Sequence, residues 1–143
     1  MTSPFLPSYG GQSTEDLLAL EGKYRIDSLV LAFEQAIQAK PKPSREEAHV
    51  LAIEALEREV NNGGYSQFFT NSSNEFAPTI EGALRAIGCP KTADITHDAI
   101  AAFGTDGDLS VCDARYFAND EPIADRLFAW IKSNRAKISV GGA

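Results

Sequence analysis

Apolar residues recur at helical spacing along most of this chain, and no stretch alternates apolar with polar residues at the period of a strand. The clearest run is Ile26, Leu29, Val30, Phe33 and Ile37, which predicts a helix over residues 25–40. Lys40-Pro41-Lys42-Pro43 ends it, because proline cannot donate to the helical ladder and pushes its predecessor into extended geometry. Upstream, Ser13 or Thr14 caps a short helix reaching Glu21, with Glu15 and Asp16 near its positive end. Downstream, Ser44-Arg45-Glu46-Glu47 reads as a capping box that opens a helix over 45–62: the serine accepts from the third helical amide and Glu47 returns the bond. A short helix over 65–70 follows, then one from Asn74 to Ile87 stopped by Gly88 and Pro90, one over 92–103, and a short one over 113–119 that Asp113 caps. Asp120-Glu121-Pro122 opens the last helix, whose apolar stripe is Ile123, Leu127, Trp130, Ile131 and Ile138. The pattern predicts a single compact all-α domain over 13–138 with six to eight helices, several of them short. A loose N-terminal arm covers 1–12 and a flexible C-terminus covers 139–143.

One interruption stands out. In Glu59-Val60-Asn61-Asn62-Gly63-Gly64-Tyr65-Ser66-Gln67-Phe68-Phe69-Thr70-Asn71-Ser72 an amphipathic helix stops at two glycines and restarts as an aromatic, amide-rich segment. Gly63 or Gly64 supplies the positive φ that ends a helix, and Asn61 and Asn62 can bond its last carbonyls. Tyr65, Phe68 and Phe69 carry enough apolar area to be core anchors. On a helical wheel Glu59 falls among Ala48, Leu51, Ala52, Ala55 and Leu56, so it is expected to be largely buried and to fasten the following turn by accepting bonds from it. His49, the other titratable group on that helix, lies roughly 15 Å away along it, too far to act as a catalytic partner.

With Ala83-Leu84-Arg85-Ala86-Ile87-Gly88 downstream and Asp113-Ala114-Arg115-Tyr116-Phe117 further on, the stretch around Asn62-Gly63-Gly64-Tyr65-Ser66-Gln67-Phe68-Phe69 resembles a bacterial all-α domain family of unknown function, whose best-known member is a DNA-mimic protein. The likeness covers about Glu46 to Trp130. It implies a helical fold and, for one member, binding to the DNA-binding surface of a transcription factor; it implies no catalytic residues. Tyr65 stands where the family most often has phenylalanine.

Charge narrows the function. The 143 residues carry a formal charge of −7, which excludes affinity for nucleic acid built on phosphate neutralisation. From Gly63 to Ile131 there are ten acids and four bases, whereas Lys132 to Ala143 holds three bases and no acid. The acids Asp94, Asp98, Asp106, Asp108, Asp120, Glu121 and Asp125 are the candidate protein-binding set. Asp94 and Asp98 sit one turn apart as like charges, an arrangement that does nothing for helix stability. The expected partner is a protein with a basic surface, a DNA-binding regulator among them, with no nucleic acid or membrane bound directly; the oligomeric state stays open, a homodimer included. Cys89 and Cys112 read as buried thiols of a cytoplasmic protein, His49 as a core-edge ring satisfied by a carbonyl, and His97 as exposed. No cofactor or metal is implied: the loop from Asp106 lacks the glycine and glutamate of an EF-hand, and no phosphate loop or hydrolase motif occurs. Two further readings remain: a small enzyme or ligand-binding domain with a polar cleft formed by Glu59, Asn62, Tyr65, Gln67 and Asn71, or an immunity-type interaction protein with incidental acidity.

Overall fold

The computed structural model describes residues 3–71 and 75–141. Among these the chain forms seven α-helices and no strand, as the pattern predicts: α1 Thr14–Leu18, α2 Ile26–Gln38, α3 Arg45–Thr70, α4 Ala77–Ala86, α5 Pro90–Gly104, α6 Ser110–Ala118 and α7 Ile123–Ser133, followed by a 3-10 turn, Arg135–Lys137. The chain divides into two compact units. One takes the residues up to Leu51 together with those from Ile123 onward, and the other takes Ala52–Pro122.

In the first unit α2 packs on α1 and α7. Its core is Leu17, Leu29, Val30, Phe33, Ile37, Val50, Leu127, Phe128 and Ile131, all almost fully removed from water. Ser13 caps α1 by accepting from the Asp16 amide at 3.1 Å. The capping box forms as read, with Ser44 Oγ accepting from Glu47 N at 3.0 Å and Glu47 Oε1 accepting from Ser44 N at 2.7 Å. Glu47 does more than cap. It is buried, and its other oxygen accepts from Lys40 Nζ at 2.6 Å and Ser139 N at 2.9 Å. Thr14 Oγ1 donates to the Ile138 carbonyl at 2.7 Å and accepts from Val140 N at 3.0 Å, so the segment after α7 is bonded to both α1 and α3. Ile138 is buried there, but it lies past the 3-10 turn and does not continue the stripe of α7. The N-terminal arm has no regular element and is anchored by buried Leu6, by Arg25 N donating to the Pro4 carbonyl at 2.9 Å, and by Tyr9 N donating to Gln35 Oε1 at 3.0 Å.

The second unit holds the rest of α3 with α4, α5 and α6, and α5 packs on both α4 and α6. Ile53, Leu56, Val60, Tyr65, Phe68, Ile80, Leu84, Cys89 and Ala99 fill its core. The predicted start of α4 at Asn74 lies outside the described residues. Pro90, read from sequence as a stop, is the first residue of α5, where the amide that proline lacks would have no partner within the helix. Glu121 closes that end, accepting from Lys91 N at 3.0 Å, Thr92 N at 2.7 Å and Thr92 Oγ1 at 2.7 Å. Helices α4 and α5 end in the same way. Cys89 N bonds the Leu84 carbonyl and Gly88 N the Arg85 carbonyl, while Gly107 N bonds the Ala102 carbonyl and Asp106 N the Phe103 carbonyl. The residue at the left-handed position of this motif is Gly88 (φ 85°) after α4 and Asp106 (φ 54°) after α5.

Candidate functional site

Helix α3 breaks where the sequence motif falls. Gly63 has φ −156° and ψ 17°, and Gly64 has φ 79° and ψ −179°, a backbone region that essentially only glycine occupies. A Cβ on Gly64 would also lie 2.5 Å from Asp113 Oδ2, because Asp113 is drawn against the break. Its Oδ1 accepts from Tyr65 N at 2.8 Å, the first amide of the restarted helix. Asp113 therefore caps the second half of α3 and not its own helix. α6 begins earlier, at Ser110, whose N and Oγ both bond the Asp108 carboxylate at 2.9 Å.

Tyr65, Phe68 and Phe69 are core anchors, as expected. The Tyr65 hydroxyl meets Thr96 Oγ1 at 2.8 Å, its ring stands edge-on to Tyr116 at 5.8 Å, and Phe69 stacks on Phe103 at 4.6 Å. Burial pushes the Tyr65 hydroxyl well above the usual tyrosine range. Glu59 does fasten the segment, accepting from Asn71 Nδ2 at 3.1 Å and Gln67 Nε2 at 3.2 Å, and these bonds hold its carboxyl below the usual range. It is half-buried, not largely buried as the wheel implied, and it meets the amides of Gln67 and Asn71 at the edge of the core. Asn61 bonds the Glu57 carbonyl at 2.6 Å, while Asn62 is exposed. Beside them Tyr116 Oη is buried without a hydrogen-bond partner. The nearby Glu57 carboxyl is pushed up by burial, against the bond that Asn61 Nδ2 donates to it at 3.0 Å.

The seven candidate acids are not equivalent. Asp94 pairs with Arg85 at 2.8 Å and Asp98 with Arg115 at 2.7 Å, so the bare like-charge pair read from sequence is in fact compensated by cations from α4 and α6. Asp120 faces Lys91 at 3.6 Å, and Glu121 is spent on the start of α5. Asp106 and Asp108 lie exposed in the loop between α5 and α6. Asp125 belongs to the other unit, on α7. A cleft of about 380 Å³ is lined by Lys91, Asp94, Arg115 and Asp120 together with Ile95, Ala118 and Asn119, a lining of both signs.

What the sequence windows missed is where charge divides. The second unit carries twelve acids and four bases, and the first carries eight acids and nine bases. The signal was hidden because Arg126, Lys132, Arg135 and Lys137 fold with the N-terminal third of the chain.

His49 also departs from expectation. Its Nδ1 is buried without a hydrogen-bond partner, and the ring is held instead by stacking on Trp130 at 5.5 Å, with burial and then Arg45 keeping it below its usual pKa despite Glu46. His97 is exposed and bonds Glu81 at 2.9 Å, which raises its pKa. Cys89 and Cys112 are free and buried. Among the described residues no group of three His, Cys, Asp or Glu is placed to hold a metal ion, and no helix is long and apolar enough to cross a membrane.

Fold and site together define a small all-α protein organised around a helix broken by a glycine pair, with an acidic unit built on the break. The chain belongs to the family of DMP19-like proteins, whose family model matches residues 42–134, well over half of its length. No curated protein and no solved structure matches it.

Proposed function

We propose that this protein is an acidic binding domain, acting in the cytoplasm, that presents its second unit to a basic surface of another protein, and that this surface is one that otherwise holds DNA. The observation that carries the reading is the division of charge: an excess of eight acids in one unit and of one base in the other. Three of the four bases in the acidic unit, Arg85, Lys91 and Arg115, are engaged with Asp94, Asp120 and Asp98, so they soften the field locally without cancelling it. The choice of a DNA-binding partner comes from the likeness of residues 59–72 to a family whose best-known member mimics DNA. The polar-cleft alternative is less favoured, because Glu59, Gln67 and Asn71 spend their polar ends on one another.

The test is capture from the native cell on immobilised protein at about 0.05 M and about 0.5 M salt, with duplex DNA as competitor. The reading expects a basic DNA-binding protein, retained at low salt and released both by high salt and by DNA. Captured proteins that ignore salt and DNA alike would overturn it.

A further inference from the structure

Helix α6 is apolar on two opposite sides. Cys112 and Tyr116 face the core of the second unit, while Val111, Ala114, Phe117 and Ala118 are all exposed on the far side, within an arc of about 120° at 3.6 residues per turn. Val111 is 63% exposed and Phe117 58%, the two most exposed large apolar side chains among the described residues. Asp113 and Arg115 occupy the flanks between the two apolar sides, and exposed apolar surface grouped in this way marks a contact face. Only Ser110 interrupts the arc, and its hydroxyl is taken by Asp108. In sequence the strip is bracketed by acids, Asp106 and Asp108 before it and Asp120 after it, all exposed.

We infer that this outer face of α6 is the apolar centre of the acidic unit's binding surface, and that it takes an amphipathic helix of the partner protein, apolar where it meets Val111 and Phe117 and edged with lysine and arginine. The inference rests on the function proposed above and narrows it: phosphate-like acids alone would need only cations opposite, whereas this strip also needs an apolar groove or ridge. Charge selects the occupant. A second copy would bring a second unit with the same excess of eight acids against the first, while a basic helix answers that excess. An α6 of nine residues presents about 13 Å of strip, the length of two to three turns of a partner helix.

The test uses two probes on the full chain: a 14-residue helical peptide with leucine on one face and lysine on the other, and an oligolysine of equal length. Amide shifts followed by NMR during titration should centre on α6 with the leucine–lysine peptide. Its binding should be at least tenfold tighter than that of oligolysine and should persist in part at 1 M salt. Phe117→Ser and Val111→Ser, both at exposed positions, should each keep the parent melting temperature and weaken the leucine–lysine peptide about tenfold. If the two peptides bind alike and neither serine variant matters, the apolar site is wrong while the acidic reading stands. If neither peptide binds, both are wrong. If the protein alone dimerises with concentration and Phe117→Ser abolishes it, the occupant is a second copy and the inference is overturned.

Discussion

Gly64 and Asp113 decide whether α3 can break where it does. Gly64 is fixed twice over, by a backbone conformation reserved for glycine and by an Asp113 oxygen where a Cβ would sit. Gly64→Ala should therefore cost roughly 2–4 kcal/mol in urea melts. Adding Asp113→Ala should recover little of this, since the steric clash goes but the strain at φ 79° stays. Full recovery in the double variant would mean the carboxylate, not the backbone, is what demands glycine. Glu59, half-buried and bonded only to side-chain amides, should matter less: Glu59→Ala should lose about 0.5–1.5 kcal/mol, and Glu59→Gln less again. Glu57 carries the opposite sign. Its carboxyl is raised by burial, so the folded state holds the proton more tightly than the unfolded one, and stability falls as pH rises through the interval above the ordinary glutamate value. Glu57→Gln should accordingly leave stability unchanged near pH 4 and match or exceed the parent near pH 7. A variant less stable than the parent at pH 7 only would show that the ionised form is the one the fold prefers.

At the scale of elements, one buried carboxylate, Glu47, clamps the segment after α7 beside the bonds that Thr14 makes to Ile138 and Val140. Burial alone would raise Glu47, but its bonds from Lys40, Ser44 and Ser139 outweigh that and leave the carboxyl below its ordinary value. A lowered carboxyl contributes stability above the unfolded pKa and loses it as pH falls through the folded one, so this clamp should weaken below about pH 4.5. Hydrogen exchange should then show the Ser139 and Val140 amides opening before those of α2 as the protein is acidified; simultaneous opening would deny Glu47 this role. Half of the clamp was legible in the sequence. Ser44 and Glu47 announce each other because a capping box is a local pattern with fixed spacing, and the stripes of α2 and α7 announce burial for the same reason. Ser139 is 92 residues from Glu47 and Asp113 is 48 from Tyr65, and no periodicity reports such pairs. A wheel also assumes an unbroken helix, and the break at Gly63 and Gly64 brings Gln67 and Asn71 to Glu59 where no wheel places them.

For the whole molecule the governing quantity is a charge distribution that emerges only after the chain folds into two units. If association is steered by the acidic unit, its rate follows the field of that unit more than any single contact. Two double substitutions separate the field from the fold. Glu75→Gln with Asp106→Asn removes two exposed carboxylates that form no ion pair among the described residues, and asparagine tolerates the left-handed backbone of position 106. Asp94→Asn with Asp98→Asn removes the same charge but also breaks the pair between Asp98 and Arg115 and one of the two pairs of Arg85, which keeps Glu81. Both doubles should slow association with the captured basic partner to a similar extent at about 0.05 M salt. Both should converge on the parent near 1 M, where the Debye length has shrunk to about 3 Å. Only the second should also lower the melting temperature, because only it breaks ion pairs. Stopped-flow rates and thermal melts on the same preparations decide the matter: unchanged rates in both doubles would remove the acidic unit from the encounter, and slower association in only one would mean that particular carboxylates, and not the field of the unit, are what the partner meets.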